Sequence, residues 1–502
     1  MSRNLTALET EPPLVQRIGL LLGPALFLLT ILFADMGDPL VSRTAAVALW
    51  MAVWWITDAI PLAATALLPI VLFPLLGVQS GAAVVGAYAH HIIALYVGGF
   101  LVATALERWN LHRRIALNIL LSIGAKPSSI LFGFMAGTAF LSMWISNTAT
   151  AMMMIPIALA VMANLDEIAG RGNVTPFGKS VLLGIAYAAS IGGIATLVGT
   201  PPNAAFVGIY ETQFPDNAKP GFLQWMLFAL PLSLLLLGAA WAMLTWQMNR
   251  SGGGRLQVDV SILREEHKRL GPMQIEERIV MAIFVGVAIA WITRESLQIS
   301  GFKLPGWELF LPEANRKFVN DGVVAIIFAA LLFVIPSRNR RGERLLEADA
   351  FSKLPWGIVL LFGGGFALAG AFEASGLSLW VGERLGLLGG LHPILLVLIV
   401  CLVITFLTEV TSNTASAQIL LPVLASLAVQ IDVHPLMLMV PGAISCSCAF
   451  MLPVATPPNA IAFSSDRVRI GDMVRAGFAL SLLGSVLTTA AMFLWGRAVF
   501  GI

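Results

Sequence analysis

SSILFGFMAGTAFLSMWISNTATAMMMIPIALAVMANL, residues 128–165, is apolar for too long to be one membrane crossing and is interrupted at its centre by Ser146-Asn147-Thr148. Crossing roughly 30 Å of hydrocarbon takes about 20 apolar residues, whereas the arms on either side of Ser146 hold about 17 each, or about 25 Å of helix apiece. The stretch reads as a re-entrant hairpin whose polar tip lies deep in the membrane. A second over-long apolar stretch, 393–431, carries Ser412-Asn413-Thr414 at the same relative place.

The rest of the chain supports that setting. Its 502 residues are 58% hydrophobic and 12% charged, with mean hydropathy +0.86 and net charge +2. Soluble chains average about 25% charged residues. This composition excludes a soluble enzyme, a disordered scaffold and, with balanced charge, a nucleic-acid partner. Apolar runs near 18–34, 44–60, 61–77, 92–107, 181–210, 222–248, 277–294, 322–336, 355–373, 436–464 and 476–496 predict an all-α polytopic membrane protein with 11 transmembrane helices plus two re-entrant hairpins. The segment before residue 18 has no apolar core with a small-residue cleavage site, so no cleaved signal peptide is expected. Cys401, Cys446 and Cys448 all sit in apolar runs without metal or redox spacing and read as packing residues.

Placing the N-terminus in the cytoplasm puts most of the 30 Lys and Arg inside, among them Arg113, Arg114, Arg250, Lys268, Arg338 and Arg467, as the positive-inside rule requires. The C-terminus is then expected outside. The Gly-rich, mixed-charge stretch 249–276 reads as a cytoplasmic linker between two halves. Those halves are related. Gly98-Gly99-Phe100 recurs as Gly364-Gly365-Phe366, Glu107 as Glu373, Ser146-Asn147-Thr148 as Ser412-Asn413-Thr414 and Pro156 as Pro422, all at an offset of 266. Thr200-Pro201-Pro202-Asn203-Ala204 recurs as Thr456-Pro457-Pro458-Asn459-Ala460 at an offset of 256. An odd number of crossings per copy makes the two repeats inverted, the arrangement by which many secondary transporters set a site near the bilayer midplane.

The tips suit small ions. The arm arriving at a tip ends in unpaired carbonyls with partial negative charge, and the arm leaving it begins with unpaired N–H groups and partial positive charge. Ser, Asn and Thr add hydroxyl and amide oxygens for a hard cation and can cap a helix start. Such residues also glue membrane helices together, but two clusters at one repeat position favour a site. Pro201-Pro202 and Pro457-Pro458 lack N–H groups, so each is expected to break its crossing in mid-membrane and free carbonyls near Gly199 and Ala455. Irregular backbone at that depth is tolerated when buried in protein or lining a polar cavity.

Paired Ser-Asn-Thr tips, each followed by Thr-Pro-Pro-Asn, resemble the divalent anion/sodium symporter family of the ion transporter superfamily, over about residues 44–496. The resemblance implies a homodimer in the lipid bilayer of a bacterial inner membrane and an elevator mechanism. In that scheme 126–248 and 391–502 form a transport domain that moves against a scaffold of 1–125 and 249–390. It implies sodium-coupled uptake of dicarboxylates or tricarboxylates such as succinate, malate, fumarate or citrate, with sulfate or sodium-independent exchange as alternatives. Carried over residue by residue, one sodium site falls on Ser142, Ser146, Asn147 and the Gly199 carbonyl. The other falls on Thr408, Asn413 and the carbonyls of Thr411 and Ala455. Substrate carboxylates would meet Asn147, Thr148, Thr200, Asn413, Thr414 and Thr456, with Pro201 and Pro457 shaping the wall.

The pocket-forming segments 129–165, 181–210, 393–431 and 436–464 contain no Lys or Arg, and Glu409 is their only acid. A dianion therefore needs cations that travel with it. Glu409 itself has two open readings, tuning of the second sodium site or a buried structural hydrogen bond. Asp58 reads as a helix-end carboxylate, Glu107 and Glu373 as symmetric membrane borders, and His90-His91 as an interfacial doublet in an outward loop. A membrane-embedded enzyme is disfavoured because the pocket segments offer no paired carboxylates, no H-E-x-x-H and no Gly-x-Ser-x-Gly.

Overall fold

The computed structural model describes residues 13–256, 261–299, 302–316 and 318–502. Residues 1–12, and 257–260 of the expected linker, lie outside the described residues. Eight of the described helices are long and apolar enough to cross a bilayer: Leu14–Phe33, Pro39–Thr57, Gly81–Arg108, Asn147–Ile168, Val174–Ile194, Phe222–Arg250, Trp356–Ser375 and Ile470–Phe500. Five shorter apolar helices, Leu62–Leu75, Pro127–Ser142, Asp321–Val334, Pro393–Thr408 and Leu436–Ser445, accompany them. Large apolar side chains such as Leu21, Leu32, Phe33, Leu75 and Leu494 are exposed on the outside of the bundle, which suits a molecule whose solvent is lipid. The protein is a polytopic, almost entirely helical membrane protein. A short antiparallel ribbon, Leu297–Ile299 with Phe302–Leu304, departs from the expected all-α chain.

Around the two polar clusters the first arms, and the starts of the second arms, are duplicated to the residue. Pro127–Ser142 and Asn147–Ala169 form the first helical hairpin, and Pro393–Thr408 and Asn413–Gln430 the second. Both first arms open with proline at a position where a missing N–H costs nothing. Both second arms are capped by the serine of the motif. Ser146 Oγ accepts from Ala149 N at 3.2 Å and Ser412 Oγ from Ala415 N at 3.5 Å.

Three expected crossings are not continuous helices. The run 61–77 folds as Leu62–Thr65 and Leu68–Leu75, because Pro69 cannot donate to the turn before it. The runs 181–210 and 436–464 are each split, into Arg171–Ile194 and Pro201–Gln213, and into Leu436–Ser445 and Pro457–Phe463. The local cause differs from the one the sequence suggested. Pro201-Pro202 and Pro457-Pro458 occupy the first two positions of a new helix rather than the middle of an old one. The preceding helices have ended a full turn or more earlier.

Polar links join the chain's distant pieces into two groups. Arg467 reaches Asp166 at 2.5 Å, Lys179 reaches Asp472 at 2.7 Å, Tyr187 donates to Met473 O at 3.3 Å and Gln224 to Val499 O at 3.0 Å. These tie 126–248 to 391–502. In the other group Arg114 makes a buried two-toothed pair with Glu277 at 2.5 and 3.1 Å, Arg108 meets Glu343 at 2.7 Å and Trp109 donates to Leu345 O at 2.9 Å. Much of the seam between the groups is aromatic and glycine-lined. Trp144 packs edge-on to Phe284 at 5.2 Å, Phe222 stacks on Trp291 at 4.8 Å, and Gly208 lies under Phe366.

Candidate functional site

The two hairpin tips and the two helix breaks meet around one cavity of about 750 Å³. Ser146, Asn147, Thr148, Gly199, Thr200 and Pro201 line it from the first half, and Thr411, Ser412, Asn413, Thr414, Ala455, Thr456 and Pro457 from the second. Residues separated by about 250 positions are thus neighbours across a chamber. Trp55, Tyr96, Phe100 and Trp144 supply aromatic walls, and Asp58, Pro61, Pro355 and Gly357 also line it. Asp58 is the residue that ends Pro39–Thr57, in the left-handed conformation at φ 49°. Among the described residues the lining contains no Lys, Arg or His.

Ser142 and Thr408 do not line the cavity but sit directly behind it, fully buried. Ser142 Oγ lies 2.5 Å from Asn147 Oδ1 and 2.6 Å from Ala189 O. Thr408 Oγ1 lies 2.7 Å from Asn413 Oδ1 and 3.0 Å from Cys446 O. One hydroxyl carries one proton and can serve only one of its two acceptors at a time. Each half therefore gathers three oxygens around one hydroxyl, a donor set of the kind a hard cation can take. The carbonyls of Ala189 and Cys446 were not among the expected ligands, and no feature of the sequence singles them out.

The breaks are held open by the asparagine of the repeated block. Asn203 Nδ2 donates to Gly193 O at 3.1 Å, Ile194 O at 3.1 Å and Thr196 O at 2.8 Å. Asn459 Nδ2 does the same for Ala449 O at 3.3 Å and Leu452 O at 3.1 Å. These carbonyls lie at or past the end of the preceding helix, and Ile194 O also accepts from Trp225 Nε1 at 3.0 Å. The duplicated asparagine was legible in the sequence, but its role as a tie for the break was not. Gly193 and Gly199 allow the first break to fold tightly. A Cβ on Gly193 would lie 2.8 Å from Asn147 Oδ1 and 3.0 Å from Gly199 O.

Glu409 lies outside the lining. Its carboxylate accepts from Phe450 N at 2.7 Å, Met451 N at 2.9 Å and Leu452 N at 3.1 Å, with Ser481 Oγ at 3.4 Å. It fastens the second break to the second hairpin. Met143 holds the equivalent position in the first half, and there its carbonyl accepts from Thr196 Oγ1 at 2.5 Å while that hydroxyl accepts from Gly199 N at 3.0 Å. The halves share their cation-type oxygens but not the fastening of their breaks. The three cysteines are free and buried.

A largely apolar chamber with polar tips from duplicated elements, and among the described residues no cationic side chain, inside a polytopic helical membrane protein defines the class. The chain belongs to the family described as "Sodium:sulfate symporter transmembrane region", whose sequence model matches residues 19–502. It is 44% identical over 494 residues to the "Sodium-dependent dicarboxylate transporter SdcS" of Staphylococcus aureus, covering 97% of this chain and 92% of that protein. Among solved structures it resembles MtrF of Neisseria gonorrhoeae, with TM-score 0.55 and 12% identity over 82% of this chain and 83% of that one. It also resembles the YdaH transporter of Alcanivorax borkumensis, with TM-score 0.52 and 14% identity over 91% and 99%. At these identities the two structures speak for the fold alone.

Proposed function

We propose that the protein is a sodium-coupled symporter of small dicarboxylates, and not an enzyme. The observation that carries this reading is the pair of oxygen clusters flanking a cavity with no cationic side chain. A dianion entering such a chamber meets only partial positive charges of about +0.5 at the two tip N-termini, while stripping its water costs many kcal/mol. Two bound sodium ions supply the missing charge. Sodium at Ser142, Ser146, Asn147 and the Gly199 carbonyl, and at Thr408, Asn413 and the carbonyls of Thr411 and Ala455, leaves the asparagine N–H groups, Thr148, Thr414, Thr200 and Thr456 for the carboxylates. Pro201 and Pro457 shape the wall, and the carbonyls of Ala189 and Cys446 close the two cation shells from behind.

The likeness to SdcS supports dicarboxylates over other divalent anions. The family's description favours sulfate as a second reading, and competition by unlabelled sulfate, citrate, malate and fumarate against labelled succinate separates them. The same reading makes the two repeats inverted, with 11 crossings and two hairpins entering from opposite faces, the N-terminus cytoplasmic and the C-terminus outside, in the inner membrane of a bacterium. The polar links within 126–248 and 391–502, and within 1–125 and 249–390, support a transport domain sliding as an elevator against a scaffold, paired as a homodimer. In that topology Asp58, Pro61 and Pro355 all stand on the cytoplasmic side, so the chamber opens inward. In proteoliposomes, a sodium gradient drives concentrative succinate uptake and replacement of sodium by choline at constant pH abolishes it. Undiminished concentrative uptake in choline overturns sodium coupling.

A further inference from the structure

The sequence places His90-His91 at an interface, and the fold brings Glu211, 120 residues downstream of His91, against it. His91 Nε2 lies 2.5 Å from Glu211 Oε2, and His90 Nε2 lies 3.8 Å from the same oxygen. The two imidazoles stack at 4.5 Å, with Phe366 covering His90 at 5.0 Å. One ligand atom from each of the three residues lies within 4.8 Å of the other two. The Glu211 side chain is 7% exposed, while those of His90 and His91 are 21% and 32% exposed, so the cluster has an anchored acid and an open side.

We propose that His90, His91 and Glu211 form a binding site for a zinc-class divalent metal ion, and that its occupancy pins the two bodies of the molecule together and arrests transport. Two imidazoles and one carboxylate are a ligand set that suits zinc and its neighbours and leaves a fourth position for water. Bond lengths of about 2.0–2.2 Å place tetrahedral ligands roughly 3.3 Å apart, so the cluster needs shifts of about an ångström to close on the ion. The His91 Nδ1 atom is buried without a hydrogen-bond partner, so the ring reaches the ion through Nε2, the nitrogen that faces Glu211. Binding replaces the direct His91–Glu211 contact with metal bonds and gives up two weak contacts besides. Ile92 N donates to His90 Nδ1 at only 3.3 Å, and Lys219 Nζ, on a half-exposed side chain, stands 3.9 Å from Glu211 and can turn to water.

The consequence for transport rests on the elevator reading above. His90 and His91 begin the helix His91–Arg108 of the scaffold, and Glu211 ends the helix Pro201–Gln213 of the transport domain. The seam elsewhere carries rings and glycines that can slide, whereas three metal bonds across it cannot. With the chamber open inward, the pin lies at the opposite, outer end of the seam and holds the inward-facing state.

Two measurements on the full chain test this independently. Metal-stripped protein in detergent is titrated with zinc chloride by calorimetry, and with cobalt by the visible absorption of a tetrahedral site. One metal per chain is expected, weakened at least about tenfold by His90→Ala, His91→Ala or Glu211→Gln. Equal binding by wild type and all three variants overturns the site. In proteoliposomes with zinc on both faces, sodium-driven succinate uptake by wild type should stop and recover with EDTA, while His91→Ala, active without zinc, should be zinc-insensitive. Zinc-bound wild type that transports at its full rate overturns the pin. If wild type takes up no succinate even in EDTA, the transport reading fails instead, and the binding titration still judges the site.

Discussion

In the proposed sodium sites, Ser142 and Thr408 each place a single hydroxyl against the ion without touching the chamber. Each sits behind its asparagine and, with one backbone carbonyl, closes a group of three oxygens. Removing one hydroxyl takes away an interaction with a charged partner worth about 1.5–3 kcal/mol. Ser142→Ala and Thr408→Ala should therefore raise the sodium concentration for half-maximal uptake about tenfold or more. Asn147→Ala or Asn413→Ala, which removes the oxygen shared by cation and tip, should abolish uptake in folded protein. Wild-type sodium curves in all four variants contradict the shared-oxygen site. Glu409 invites a different expectation, because its carboxylate is filled by three backbone N–H groups and faces away from the cavity. Glu409→Ala strands those donors at about 1–3 kcal/mol each and should prevent stable folding. Glu409→Gln, which keeps an acceptor, should lower the melting temperature while leaving the half-maximal sodium concentration within about twofold. A large change in sodium dependence at unaltered stability would instead make Glu409 part of the second cation site.

Among the elements, the broken helices carry the most information. Their prolines begin a helix, where a missing N–H is harmless, so Pro201→Ala should leave helix content and melting temperature almost unchanged. A proline in a helix interior would behave otherwise, and its removal would lengthen the helix in circular dichroism. The glycines and asparagines of the break are where substitution should hurt. Gly193→Ala drives a methyl to within 2.8 Å of Asn147 Oδ1 and 3.0 Å of Gly199 O, displacing together two ligands of the first proposed sodium site. It should raise the half-maximal sodium concentration more than Ser142→Ala does, and a thermal melt distinguishes this from unfolding. The same geometry explains why the two halves tolerate different fastenings at Met143 and Glu409. What must be kept is the position of the break, and either a carbonyl with a threonine hydroxyl or a carboxylate can hold it.

For the whole molecule, the open question is movement. In the elevator reading, a chamber open inward, where Asp58 and Pro355 line it, is closed to the other face at that moment. With the native cysteines all buried, a single Ala63→Cys substitution in the cavity lining gives a clean probe. Labelling of that thiol should proceed from the cytoplasmic face and change in rate when sodium and succinate are added together. Equal labelling from both faces in one condition would indicate a channel. Cross-linking the two bodies should stop uptake without preventing sodium binding, because the oxygen clusters lie wholly within 126–248 and 391–502.

Composition and apolar run length by themselves determined that this is a polytopic helical membrane protein, because hydrocarbon thickness fixes how long an apolar segment must be. The repeat determined more. Two Ser-Asn-Thr tips and two Thr-Pro-Pro-Asn blocks at near-constant offset named the cavity-lining residues, since a duplicated polar cluster in an apolar run has few structural excuses. Only the tertiary structure showed that Ser142 and Thr408 stand behind the wall rather than in it. It alone brought the carbonyls of Ala189 and Cys446 to them, turned Glu409 toward residues 450–452, and set Glu211 against His90 and His91. The physical reason is common to all four. A backbone carbonyl is identical in every residue, and a side chain's partner depends on how distant helices are rotated against each other, a property that no local spacing encodes.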